Sequence, residues 1–123
     1  MAYEDMPWLR QDGEQNIYTV YEQTTYSELP IYDENGKQKE PQSGNYIFAK
    51  RDASIKGGWR AVCFGQGVLL KEINDPKRQE CIKKHGATHL HILFIHQNEN
   101  QRMAEVEKLK RVHHVSVRSS LCE

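Results

Sequence analysis

The stretch GNYIFAKRDASIKGGWRAVCFGQG, residues Gly44 to Gly67, decides the fold. Two runs fit for strands, NYIFAKR and WRAVCFG, flank the polar joint DASIKGG, which ends in Gly57–Gly58. Aromatic and β-branched residues fit the pleated surface of a sheet, and glycine supplies the turn, so the segment predicts a β-hairpin with a loop of moderate length. Each run also carries an aromatic residue next to a glycine, at Gly44-x-Tyr46 and at Phe64–Gly65.

Outward from this hairpin, Gly65 and Gly67 are expected to break the second strand, and VLLKEI reads as one or two helical turns. Asp75 and Pro76 have the chemistry of an N-cap and a first helical residue, and KRQECIKKH runs from them to a stop at Gly86, with basic residues in the last turn. ATHLHILFIH is apolar at nearly every position from Leu90 to Ile95, as a central strand covered on both faces requires. NENQRMAEVEKLKRV follows as a helix capped by Asn98, with a stripe of Met103, Val106, Leu109 and Lys110. The tail HHVSVRSSLCE predicts a last short strand. Upstream, NIYTVYEQTTY alternates as a strand, and LPIYDENGKQKEPQSG predicts a short edge strand, an Asn35–Gly36 turn and a loop. Residues 1–15 read as an arm.

With 123 residues the chain has the length of one domain and can bury an ordinary core. No apolar run approaches the roughly 18–20 residues of a membrane span. The opening MAYEDMPWLRQDGEQ lacks the apolar region of a signal peptide, so the expectation is a cytoplasmic protein without a membrane partner. Three cysteines without a CxxC pair are expected to stay reduced. The 17 basic and 17 acidic residues balance, but unevenly along the chain. Residues 1–43 carry nine acids against three bases, and residues 44–123 carry 14 bases against eight acids. A basic body is compatible with a phosphate-backbone partner, and the acidic segment with a basic protein surface. Ordinary solvated charge explains the same composition.

Several constellations carry less. GQGVLL lacks the third glycine of a dinucleotide loop, where Leu70 stands. His89 and His91 share one strand face and, with His113 and His114, form a candidate metal set, against the plainer reading of core or surface histidines. A Cys63–histidine dyad lacks a helix N-terminus to stabilise the thiolate.

The hairpin with its two aromatic-glycine motifs resembles the GIY-YIG nuclease domain. GNY stands for the first motif and CFG for the second, with Gln66 next and the short VLLKEI helix after it. CIKKHGATHLHILF is similar to the helix-to-strand segment of small bacterial members of that superfamily, and the likeness covers roughly residues 43–112. It implies an α/β fold: a small central mixed or antiparallel β-sheet flanked by helices, with residues 1–42 as an N-terminal arm and β-hairpin extension to a domain of residues 43–123. It also implies hydrolysis of a DNA phosphodiester with one divalent metal, Mg²⁺ or Mn²⁺. In that family a tyrosine acts on the nucleophilic water, an arginine on the first helix stabilises phosphate charge, and a glutamate on a later helix holds the metal.

Residue by residue, Tyr46 matches the first tyrosine and Cys63 stands where the second is expected. The arginine position falls at Glu72 or Ile73, with Lys71 the nearest cation and Arg78 further along. The metal position falls at Val106, between Glu105 and Glu107. Two functional readings follow. The first is a GIY-YIG-like module with altered catalytic residues that binds nucleic acid, or a protein that handles it. Lys50, Arg51, Lys71, Lys77, Arg78, Lys83 and Lys84 would make the phosphate contacts. A phage or mobile-element protein that blocks a host nuclease is one version. The second is a working endonuclease with Tyr46, Lys71 and Glu105 (or Glu107) as catalytic and metal-holding residues. Unpaired strand edges in the first hairpin leave room for a dimer.

Overall fold

The computed structural model describes residues 4–22, 35, 42–55, 57–96 and 98–113. In chain order the elements are β1 (Glu4–Leu9), β2 (Gln15–Glu22), β3 (Ser43–Arg51), β4 (Trp59–Val68), α1 (Leu69–Ile73), α2 (Pro76–Lys84), β5 (His89–Leu93) and α3 (Glu99–Val112). The strands form one five-stranded sheet in the order β1-β2-β5-β3-β4. Every pairing in it is antiparallel. The fold is therefore α/β, and of the mixed and antiparallel alternatives the sheet is the antiparallel one.

Strand alternation assigns the two faces. Tyr46, Phe48, Leu90 and Ile92 turn to one side, where they bury Leu69 and Ile73 of α1 and Ile82 of α2. Ile47, Ala49 and Leu93 turn to the other with Trp8, Tyr18, Trp59 and Phe64, against Val106 and Leu109 of α3. β5 has no solvent face and lies mid-sheet, which is why its sequence lacks alternation. The β3–β4 hairpin forms as read, and both Gly57 and Gly58 take positive φ in its loop, a conformation costly for residues with a Cβ. A bulge between Phe48 and Ala49 sets Val62 outside the pairing and kinks β4. The Asp75 and Asn98 side chains accept from the Arg78 and Gln101 backbone N–H at 3.0 and 2.8 Å, so both expected caps are present.

Several expectations need correction. Residues 1–15 are not only an arm: they contain β1, which pairs with β2, and β2 in turn pairs with β5. The N-terminal hairpin thus lengthens the main sheet. β4 runs through Gly65 and Gly67 to Val68 instead of breaking there. Met103 is half-exposed, and Arg102, Glu105, Val106 and Leu109 form the buried face of α3. Cys63 is a buried free thiol, but Cys81 is disulfide-bonded and so departs from the expected reduced state. The edge strand expected after Pro30 and the tail strand lie outside the described residues. Among the described residues no helix is long and apolar enough to cross a membrane.

Candidate functional site

Tyr46 and Gly65 are cross-strand partners on β3 and β4. A Cβ built on Gly65 would lie 2.2 Å from both Cζ and the hydroxyl of Tyr46, so the phenol passes directly over this glycine. Gly44 is confined in the same way, because an added Cβ would come within 2.8 Å of the Leu93 carbonyl oxygen. The motif glycines are spaces for neighbours, and the one at 65 lets the ring reach the outer edge of β4. Gly65→Ala is expected to cost about 1–3 kcal/mol as an overpacking change. In a Tyr46→Ala background the same substitution should cost little. Urea unfolding of the four proteins checks this, and equal costs in both backgrounds would refute the steric account.

At that edge the Tyr46 hydroxyl donates to Glu72 Oε1 at 3.0 Å. Arg78 approaches the same carboxylate at 3.6 Å, donates to the Glu72 carbonyl at 3.1 Å, and places its guanidinium 5.4 Å from the Tyr46 ring centroid. This meeting depends on the break between the helices. α1 stops at Ile73, and the Asn74–Asp75 corner starts α2 afresh, which turns Arg78 in the first turn of α2 back onto the last turn of α1. Gln79 reinforces the corner by donating to the Ile73 carbonyl.

Burial pushes the Tyr46 phenol far above its ordinary range. Arg78 works against that rise and Glu72 adds to it, so the hydroxyl stays protonated at neutral pH. Burial also disfavours the Arg78 cation, but Tyr46, Glu72 and Cys63 beside it outweigh that and raise its pKa.

The three side chains form one wall of an open cleft of about 280 Å³. Phe64, Gly65 and Gln66 of β4 form its floor, and Met103, Val106, Glu107 and Lys110 of α3 form the opposite wall. The arrangement joins four cleft charges from three elements, two acidic (Glu72, Glu107) and two basic (Arg78, Lys110). Glu107 is exposed and has no ion pair among the described residues.

The candidates fare differently. Tyr46, Arg78 and Glu107 come together. Glu105, the first choice as metal ligand, does not join them. It is 1% exposed, and its carboxylate accepts from Asn16 Nδ2 at 3.0 Å and the Tyr18 hydroxyl at 2.9 Å, and pairs with Arg10 at 3.2 Å. Residues two apart on a helix point about 200° apart, so 105 and 107 cannot share a face. Lys71 is exposed on α1 and does not line the cleft, whereas Arg78 does. Lys50 and Arg51 turn to opposite sides of the sheet. Lys50 Nζ donates to the His85 carbonyl at 3.0 Å, at the end of α2. Arg51 pairs with Glu4 at 2.6 Å and stacks 4.0 Å from the Trp59 ring centroid. Lys77, Lys83 and Lys84 are exposed on α2, outside the cleft. Glu72, Gln66 and Lys110 are cleft residues that sequence reading passed over.

Among the described residues no group of three or more His, Cys, Asp and Glu is placed to hold a metal. His91 Nδ1 accepts from Trp8 Nε1 at 3.1 Å, and His89 and His113 bond to Thr88 and the Leu9 carbonyl, so these three histidines make structural contacts. His114 lies outside the described residues. The cleft does suit the way Mg²⁺ is commonly held, by one or two carboxylates together with substrate phosphate oxygens. Glu107 is the uncommitted carboxylate for that role, whereas Glu72 is already engaged by Tyr46 and Arg78. Comparison with protein-family models, curated proteins and solved structures finds no match.

Proposed function

We propose that the chain is a GIY-YIG-like module whose edge-strand cleft binds the phosphate backbone of a nucleic acid. The convergence of Tyr46, Arg78 and Lys110 on one open cleft, from elements far apart in sequence, carries this reading. A guanidinium and an ammonium lining one cleft suit an anionic oxygen, and the Tyr46 hydroxyl, whose one proton goes to Glu72, holds that carboxylate beside them. Binding is favoured over cleavage because the second motif's tyrosine position is Cys63, whose side chain is buried and does not line the cleft. A second hydroxyl to orient water is therefore missing. The acidic N-terminal segment is the weaker partner surface, since Glu4 and Asp12 are spent on Arg51, Arg10 and Lys108.

Two observations favour hydrolysis as a second reading: Glu72 lies within hydrogen-bond reach of the Tyr46 hydroxyl, and Glu107 stands uncommitted across the cleft. A divalent ion held there would neutralise charge on the phosphate and supply a polarised water. The residues themselves would position the phosphate through Arg78 and Lys110 and fix the Tyr46 proton toward Glu72.

Filter retention of labelled duplex DNA over a salt series tests the first reading. Retention should fall with salt, and Lys110→Ala should reduce the slope by about 0.9, one phosphate contact. Plasmid incubated with Mg²⁺ or Mn²⁺ should stay intact. Metal-dependent nicking that disappears in Tyr46→Phe and Glu107→Gln would replace the binding-only reading by the nuclease. Neither retention nor nicking would overturn both and leave a protein partner.

A further inference from the structure

We propose that Gln66 is a phosphate-contacting donor of the cleft and that Arg102 is the residue that positions it; this rests on the phosphate-site reading above. Gln66 lines the cleft beside Gly65, Glu72 and Arg78. Its Oε1 accepts from Arg102 Nε at 3.0 Å. Amide oxygen and nitrogen are often interchangeable in a structure, but here the assignment is chemical. Arginine has only donors, so the atom facing it must be the oxygen. Both N–H groups of Nε2 are then left without a partner among the described residues, on a residue that lines the cleft.

The holder is itself held. Arg102 is 8% exposed on α3, and its backbone carbonyl accepts from Asn45 Nδ2 at 2.9 Å. Asn45 is the cross-strand partner of Gln66 and is 1% exposed. A buried cation thus sits under the cleft floor, tied to both strands of the hairpin, and fixes which end of a carboxamide is offered to a ligand. An oriented N–H pair complements the non-bridging oxygens of a phosphate without adding charge to a cleft already balanced between Glu72, Glu107, Arg78 and Lys110.

Gln66→Glu separates this role from a structural one. The new carboxylate would pair with Arg102 and leave no donor facing the ligand. The thermal midpoint should stay unchanged or rise, while retention of labelled duplex DNA at low salt weakens at least about tenfold. Gln66→Leu should weaken retention as well, and Arg102→Met should add nothing further in the Gln66→Leu background. Equal retention by wild type and Gln66→Glu would overturn the assignment of Gln66 and leave the phosphate site standing. Absence of retention by the wild type would overturn the phosphate site and this role together.

Discussion

Replacing Glu105 with alanine is expected to remove about 3–5 kcal/mol of stability, the range for breaking a buried ion pair from one side. Glu105 sits at the join between the N-terminal hairpin and α3. Its Oε2 accepts from Tyr18, its Oε1 accepts from Asn16 and pairs with Arg10, and His96 Nε2 stands 3.8 Å away. Without the carboxylate, a guanidinium that is 14% exposed and a phenol that is fully buried lose their shared partner. Tyr18 marks the strength of this environment, because burial first and Glu105 second push its phenol well above the ordinary value. Glu107→Gln, by contrast, alters an exposed group without an ion pair and should stay within about 0.5 kcal/mol of wild type. Urea unfolding at neutral pH compares the two. Similar midpoints for Glu105→Ala and Glu107→Gln would show that the buried network contributes nothing, and the division of α3 into a structural and a cleft-facing glutamate would fall with it.

That division marks where sequence reading stops. The caps at Asp75 and Asn98, the central strand and the β3–β4 hairpin depend on neighbours within a few residues, and all of them are readable from the chain alone. Which glutamate faces the cleft is a different kind of fact. It is decided by Arg10, Asn16 and Tyr18, which come to α3 from the other end of the sequence. β1 escaped for a related reason: in EDMPWL only Trp8 is buried, with Met6 partly buried on the same side, and two inward residues make too short an alternation to stand out. Arg102 displaced Met103 from the buried face because Gln66 accepts from its guanidinium there, so apolarity alone pointed the wrong way. The place of Arg78 in the cleft was hidden because it depends on the break between α1 and α2. The family pattern that the sequence resembles points to Glu72 or Ile73, whereas the corner at Asn74–Asp75 folds Arg78 back onto that turn. The glycine of the second motif, finally, is legible as a motif but not as a cause, since its need for an empty Cβ position comes from Tyr46 across the strand pair.

Stability should also fall as pH drops from about 6.5 toward 3, with His91 as a principal source. This imidazole is fully buried in the α3-side core. Trp59 stands perpendicular to it at 4.7 Å between centroids, and Trp8 donates to its Nδ1 at 3.1 Å. Accepting at Nδ1 requires the neutral form with its proton on Nε2. Burial first, then the nearby His89 and Arg51, lower its pKa from the ordinary 6.5 to about 3. The folded state therefore refuses a proton that the unfolded chain accepts below about 6.5. The contribution is fully present above pH 6.5 and disappears as pH falls to about 3, at up to about 1.4 kcal/mol per pH unit, or roughly 4–5 kcal/mol in all. Carboxylates also gain protons toward the bottom of this window, so the comparison must be with a chain lacking only this titration. His91→Phe removes it but leaves the Trp8 N–H unpaired, which costs about 1–3 kcal/mol at neutral pH. The variant should start below wild type at pH 7 and close the gap, then reverse it, as the solution is acidified. Parallel stability curves for the two proteins from pH 7 to pH 4 would mean that His91 binds its proton equally well in both states. The Trp8–His91–Trp59 contact would then not be the closed, dry environment that this geometry describes.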